Sequence, residues 1–356
     1  MGPRKLDRRE FLRLAGLASL SPLVACVAGD PETSPKPAST PPESASPQPS
    51  ATPNEPARTF AWTRIDAKGP EPRRDYSFTG HGDESKAWLF GGRAGGEPLG
   101  DLWEFADGEW RRISADGPSP RFGHNAAFIG DRVLLFGGQG GQGVFFNDLW
   151  SFDVAEESWT RVSDGGAAPS PRYGAGGTAV GSDLTISHGF TDAGRFDDTW
   201  SFANAWTDVS PASGPRPIKR CLHRIAHLQG LNRLVLFGGQ TNGVPFLGDT
   251  WVFDPGSRSW REMKGKAPSP RNLYAAGATS DALYVFGGNG EGGELGDLWT
   301  FDGTEWAKLN AGDPSPGARG GIDFAVLEGR MLLFGGSDSS GELDDLWELA
   351  LAVGVE

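Results

Sequence analysis

Cysteine is almost missing from this chain: Cys26 and Cys221 are the only two in 356 residues, and Cys221 is the only one beyond the N-terminal stretch. No intramolecular disulfide is therefore expected in the folded part, which must stand on burial alone. Long apolar runs are missing too. The run from Leu14 to Val27, about fourteen residues, falls short of the roughly 20 that cross a bilayer and reads as an export signal. Basic residues are outnumbered, with 33 Lys and Arg against 46 Asp and Glu and a formal net charge of -13. That balance argues against binding nucleic acid or an anionic membrane through a broad basic face. There is likewise no Gly-x-Ser-x-Gly elbow, phosphate loop or His-Glu-x-x-His segment.

Glycine and aromatic residues are abundant instead, with 53 Gly, 27 Pro, 13 Trp and 21 Phe. Turns alternate with aromatic packing positions, as in a folded, turn-rich protein. The string Phe-Gly-Gly, then Asp-x-Trp, then a further Trp recurs between residues 60 and 350, for example as Phe136-Gly137-Gly138, Asp148-Leu149-Trp150 and Trp159. A period of about 48 residues is too long for a helical hairpin repeat and suits a four-stranded propeller blade.

The N-terminal residues read differently. Arg8-Arg9-Glu10-Phe11-Leu12-Arg13 resembles a twin-arginine translocation signal, with Asp7 where that signal usually has Ser or Thr. Leu23-Val24-Ala25-Cys26 resembles a lipoprotein box, which implies acylation of Cys26. Residues 1–25 are thus expected to be a leader. Its removal takes away five positive and two negative charges and moves the net charge from -13 to -16. Residues 26–58, rich in Pro, Ser, Thr and Ala, cannot bury a core and are expected to be an extended tether. The folded domain is expected over 59–351.

Each repeat divides into four strands: a after a Pro-x-Pro-Arg turn, b before Gly-Gly, c at Asp-x-Trp and d at the following Trp. Sets of a, b and c occur six times. Trp residues of d type stand at 62, 110, 159, 206, 260 and 306, so the sixth unit has no d strand after it and a spare one, Phe60-Ala61-Trp62-Thr63-Arg64, precedes the first. The ring is therefore expected to close by pairing that N-terminal strand with the last blade, which removes an open sheet edge. On these residues the chain from 59 to 350 resembles kelch-repeat β-propellers. The resemblance implies an all-β fold of six four-stranded antiparallel blades, and it covers both enzymes and binding platforms. Galactose oxidase, a kelch enzyme, holds copper with two Tyr and two His, one pair adjacent; none of Tyr76, Tyr173, Tyr274 or Tyr284 is followed by His. No cofactor or metal is expected.

What recurs reads as scaffold. Asp101, Asp148, Asp198, Asp249, Asp297 and Asp345 oppose Arg73, Arg121, Arg172, Arg220, Arg271 and Arg319, one of each per unit. They are expected to satisfy each other and the backbone of turns. Antiparallel succession puts the d-to-a and b-to-c connections on one face. These are long and variable, as in 139–147 and 241–248, whereas the a-to-b turns are tight. A ligand is expected on the long-loop face.

What deviates is the candidate site. Unit three has Ser187-His188-Gly189 for Phe-Gly-Gly, and a His where other blades put Gly is read as unnecessary for folding. Unit four reads Arg216-Pro217-Ile218-Lys219-Arg220-Cys221-Leu222-His223-Arg224-Ile225-Ala226-His227. Three readings of this cluster stay open. Cys221, His223 and His227 with His188 could bind a metal, although their spacing on a strand is too wide without a bulge. His188, Arg195, Arg216, Arg220, His223 and Arg224 could hold an anionic ligand such as a sugar acid. Alternatively His188 and His223 bond loops and Cys221 packs as a small apolar group. His124 is read as scaffold.

The expectation for the whole chain is an exported, lipid-anchored, monomeric propeller at the outer side of the cytoplasmic membrane. It binds a protein or carbohydrate on its long-loop face, with membrane contact through the anchor only and no nucleic-acid partner. A carbohydrate-active enzyme of mutarotase or lyase type, with a site between blades three and four, is the alternative.

Overall fold

A computed structural model describes residues 60–81 and 85–351. The leader, Cys26 and the tether lie outside the described residues. Alternating apolar residues, turn glycines and one Asp-x-Trp per repeat produce six four-stranded antiparallel sheets. Blade one comprises Ser77–His81, Lys86–Phe90, Leu102–Ala106 and Glu109–Ile113, in the order a, b, c, d. Blade two comprises Asn125–Ile129, Arg132–Phe136, Leu149–Asp153 and Ser158–Ser163. Blade three comprises Gly176–Val180, Asp183–Ser187, Thr199–Phe202 and Trp206–Asp208. Blade four comprises Arg224–Leu228, Arg233–Phe237, Thr250–Asp254 and Ser259–Met263, and blade five Ala275–Ala278, Leu283–Phe286, Leu298–Phe301 and Trp306–Leu309.

Blade six takes Phe324–Leu327, Arg330–Asp338 and Gly341–Leu351 from the C-terminal end of the domain and Phe60–Ile65 from its N-terminal end. The register Phe60 to Leu351, Trp62 to Leu349 and Ile65 to Leu346 confirms the expected closure. Trp62 is buried and packs edge-on against Phe286 of blade five at 5.1 Å between ring centroids. The same contact recurs around the ring: the d-strand Trp of one blade meets the Phe just before the Gly pair of the blade before. Trp159 meets Phe90 at 5.5 Å, Trp206 meets Phe136 at 4.9 Å, Trp306 meets Phe237 at 5.0 Å and Trp110 meets Phe334 at 5.4 Å. Such tilted and edge-to-face pairs add about 0.5–1.5 kcal/mol each to the burial of the rings.

Main-chain hydrogen bonds join the blades near the axis. The N–H of each scaffold Arg donates to the preceding blade's b-to-c loop, as Arg121 to Leu99 at 2.8 Å, and the first blade's Arg73 does so to Leu343 at 3.1 Å. Two residues further on, the backbone is left-handed in all six blades, at Asp75, Gly123, Gly174, Leu222, Leu273 and Gly321. Each of these N–H groups donates to the carbonyl of its counterpart in the preceding blade, Gly123 to Asp75, Gly174 to Gly123, Leu222 to Gly174, Leu273 to Leu222, Gly321 to Leu273 and Asp75 to Gly321, at 2.7–3.2 Å. The last bond joins the sixth blade to the first, so the series is a closed circle around the axis.

Candidate functional site

The sixfold Arg and Asp series builds the scaffold. Arg121 donates to both Asp148 oxygens at 2.7 and 3.0 Å, to the Gly137 carbonyl at 3.0 Å and through Nε to the Ser119 carbonyl at 3.0 Å. The Trp150 indole N–H donates to the same carboxylate at 2.8 Å. The paired carboxylate bonds recur in the other five blades. Burial pushes the Asp148 pKa up, but the Arg121 hydrogen bond and charge outweigh it and hold the carboxyl below its ordinary value. Removing one partner of such a buried pair costs about 3–5 kcal/mol, because it strands the other charge.

Arg220, a candidate ligand residue in the sequence, belongs to this series. It is fully buried and donates to Asp249 at 2.7 and 2.6 Å and to the Gly238 carbonyl at 2.9 Å. No donor is left facing solvent.

His188 and His223 do come together, with ring centroids 5.3 Å apart, but both are buried, at 0% and 1% exposure. The reason corrects the view that His188 has no part in folding. Blade three carries Ser187 where the others end strand b in Phe, which leaves the slot beside the next blade's Trp260 without a ring. His188 supplies that ring one residue later, edge-on to Trp260 at 6.3 Å. It does so in a left-handed conformation, φ 61, that glycine adopts in the other blades and that costs a side chain about 1–3 kcal/mol. Its Nδ1 meets the Ser187 hydroxyl at 2.6 Å, and that hydroxyl meets Thr199 Oγ1 at 2.9 Å. Burial, aided by the Arg220 charge, lowers the His188 pKa to about 3, and burial with the His188 charge drives His223 well below its ordinary value. Both are neutral and present no surface to an anion.

His124 stands in blade two where His223 stands in blade four, buried, with Nε2 2.9 Å from the Ser77 hydroxyl. Cys221 is buried, its pKa raised by burial. Cys221, His223 and His227 do not converge: among the described residues no group of three or more His, Cys, Asp or Glu is placed to hold a metal.

The three remaining candidates, all partly exposed, lie in three places. Arg195, at the base of the blade-three b-to-c hairpin where it pairs with Phe190, bonds Asn242 of blade four and lies over the Phe190 ring at 5.1 Å. Arg216 donates to the Pro211 carbonyl at 2.9 Å within the d-to-a connection. Arg224 reaches into the central channel. The six candidates therefore do not form one cleft between blades three and four.

The long-loop face carries a second sixfold series that sequence reading missed. The residue after each scaffold Arg forms a two-residue bridge with the residue after each Gly pair or its blade-three equivalent. The bridges are Arg74 to Arg93, Phe122 to Gln139, Tyr173 to Phe190, Cys221 to Gln240, Asn272 to Asn289 and Gly320 to Ser337. Their geometry is constant and their chemistry differs in every blade. Among the described residues, three of the five exposed large apolar side chains, Val144, Ile218 and Val244, stand in connections on this face. Arg74 is 3.4 Å from Glu342, and Arg93 pairs with Asp75 while lying over the Phe122 ring at 4.8 Å. The absence of repetition next to invariant Arg and Gly was the available signal.

The family described as KLHDC2/KLHL20/DRC7 Kelch-repeats domain matches residues 56–231 and 203–354. Among curated proteins the chain is similar to Host cell factor of Drosophila melanogaster, 24% identical over 64% of this chain and 17% of that protein. It is 28% identical to Leucine-zipper-like transcriptional regulator 1 homolog of the same organism, over 46% of this chain and 18% of that protein. An F-box/kelch-repeat protein of Arabidopsis thaliana is 30% identical over 54% of this chain and 45% of its own length. The matches thus span less than half of each of these relatives.

Proposed function

Because this chain belongs to the KLHDC2/KLHL20/DRC7 kelch-repeats domain family, we propose that it is a protein-interaction module that docks a partner on its long-loop face. The observation that carries this reading is the ring of bridged residues that keeps its geometry while changing its chemistry in every blade. Folding demands the invariant Arg and Asp positions; it does not demand Arg93, Gln139, Phe190, Gln240, Asn289 and Ser337, each partly exposed, in succession at the outer side of the bridges. Val144, Ile218 and Val244 add an apolar rim over blades two to four, with Lys219 and Arg195 between them. A partner segment presenting apolar side chains next to carboxylates fits that rim. The leader at 1–25 and Cys26 support export and lipid anchoring at the outer side of the cytoplasmic membrane, with 26–58 as the tether.

The test is crosslinking and affinity capture from cells with the full chain and with a Val144→Asp, Val244→Asp double variant. Both residues are about half exposed, so the variant should unfold within about 1 kcal/mol of the parent. Loss of the captured protein by about tenfold or more is expected. Undiminished capture, or capture of glycans alone, would overturn the reading.

A further inference from the structure

The central channel holds a well that ends short of the axial hydrogen-bonded circle. A cavity of about 390 Å³ is lined by strand a and the a-to-b turns of the blades and by Asp323, the residue before strand a of blade six. None of the six residues of the axial hydrogen-bonded circle lines it. Leu222 covers Gly174, and Tyr173 covers Gly123. At the opposite end the lining includes Gly181, Gln229 and Ser280, which are exposed in the a-to-b turns.

The floor of this well is polar, and its walls mix small residues with Phe78, Phe128, Ile225 and Phe324. Arg224 of blade four crosses to blade six, where Nη2 donates to the Ile322 carbonyl at 2.9 Å and lies 3.5 Å from Asp323 Oδ1. The Asp323 carboxylate also accepts the Phe78 N–H of blade one at 3.3 Å and the Phe324 N–H at 3.1 Å. Arg224 Nη1 makes no hydrogen bond among the described residues, and neither do the hydroxyls of Thr79 and Thr178 in the lining. Ala126, Gly177, Ala276 and Gly277 leave space between these groups. The volume falls near the small end of the roughly 300–1,000 Å³ usual for small-molecule sites.

We propose that this well binds a small neutral polyol of monosaccharide size, entering from the a-to-b turn face and hydrogen-bonded by Arg224, Asp323, Thr79 and Thr178. The floor carries one positive and one negative charge, already facing each other. A carboxylate ligand would be set against Asp323 and an ammonium ligand against Arg224. Vicinal hydroxyls, which donate and accept, suit both.

The test is titration of the full chain with D-glucose, D-galactose and myo-inositol through the millimolar range, followed by ligand-observed NMR and calorimetry, with acetate and putrescine as controls. Saturable binding of at least one polyol is expected. Ala276→Leu, which fills the well from its wall, should weaken it about tenfold or more, and Thr79→Val, which removes one hydroxyl at constant shape, should weaken it by several fold. The Val144→Asp, Val244→Asp variant should bind the polyol unchanged, which separates this site from the long-loop face. No saturation with any of the three, tighter binding of acetate or putrescine, or binding undiminished in folded Ala276→Leu would overturn the proposal. Should Ala276→Leu fail to fold, unchanged binding in Thr79→Val would do so.

Discussion

At the scale of single residues, the decisive chemistry is neutral histidine in a dry interior. Burial, with the Arg121 charge, lowers His124 to about 3, and His188 lies at about 3 as well, both far below the ordinary imidazole value. A folded-state pKa below that of the unfolded chain means that the unfolded chain takes up the proton first. The stability held by neutral His188 is therefore complete above about pH 6.5 and is lost as pH falls from there towards 3, by up to about 1.4 kcal/mol per pH unit for one histidine. His188→Asn keeps a side chain tolerant of the left-handed backbone and removes the titration. Denaturant unfolding measured between pH 7 and pH 4 should show a shallower pH slope for His188→Asn, by about one proton; parallel slopes would refute the assignment. Sequence alone flagged His188 as an exception but missed its purpose. The compensation acts through space, with the ring lost at Ser187 returned one residue later against Trp260 in the next blade.

At the scale of elements, the strand Phe60–Ile65 is the piece that can be removed most informatively. It pairs along its whole length with Gly341–Leu351 and buries Trp62 among Phe286, Phe324 and Leu349. Trp62→Ala should destabilise the fold by about 3–5 kcal/mol, read from chemical denaturation. It should also promote association at high concentration, read by light scattering, because the weakened closing strand exposes an unpaired edge. A loss below 1 kcal/mol would show that closure does not depend on this strand. Elements of this kind were legible in the sequence because each leaves a side-chain mark: Gly-Gly after strand b, Asp-x-Trp at strand c and one Trp in strand d. The bridges on the long-loop face and the axial circle were not, because main-chain groups make them and only three of the six left-handed positions are glycine.

At the scale of the whole molecule, the propeller separates two faces with different fittings. One bears the chemically varied bridges and apolar rim, and the other opens into the polar-floored well. The proposed lipid anchor makes membrane association depend on Cys26 alone. Cys26→Ser should release the protein from the membrane fraction and abolish incorporation of labelled palmitate, while leaving the domain's unfolding curve unchanged. Persistence in the membrane fraction would refute the anchor. The axial circle carries a further consequence. All six donors point in the same rotational sense. A loop of this kind has no first or last link, and an arc of five blades would leave one amide and one carbonyl stranded beside the axis. The sixth blade therefore completes the pattern at a stroke, and the molecule is biased towards assembling its sectors together rather than accumulating them one by one.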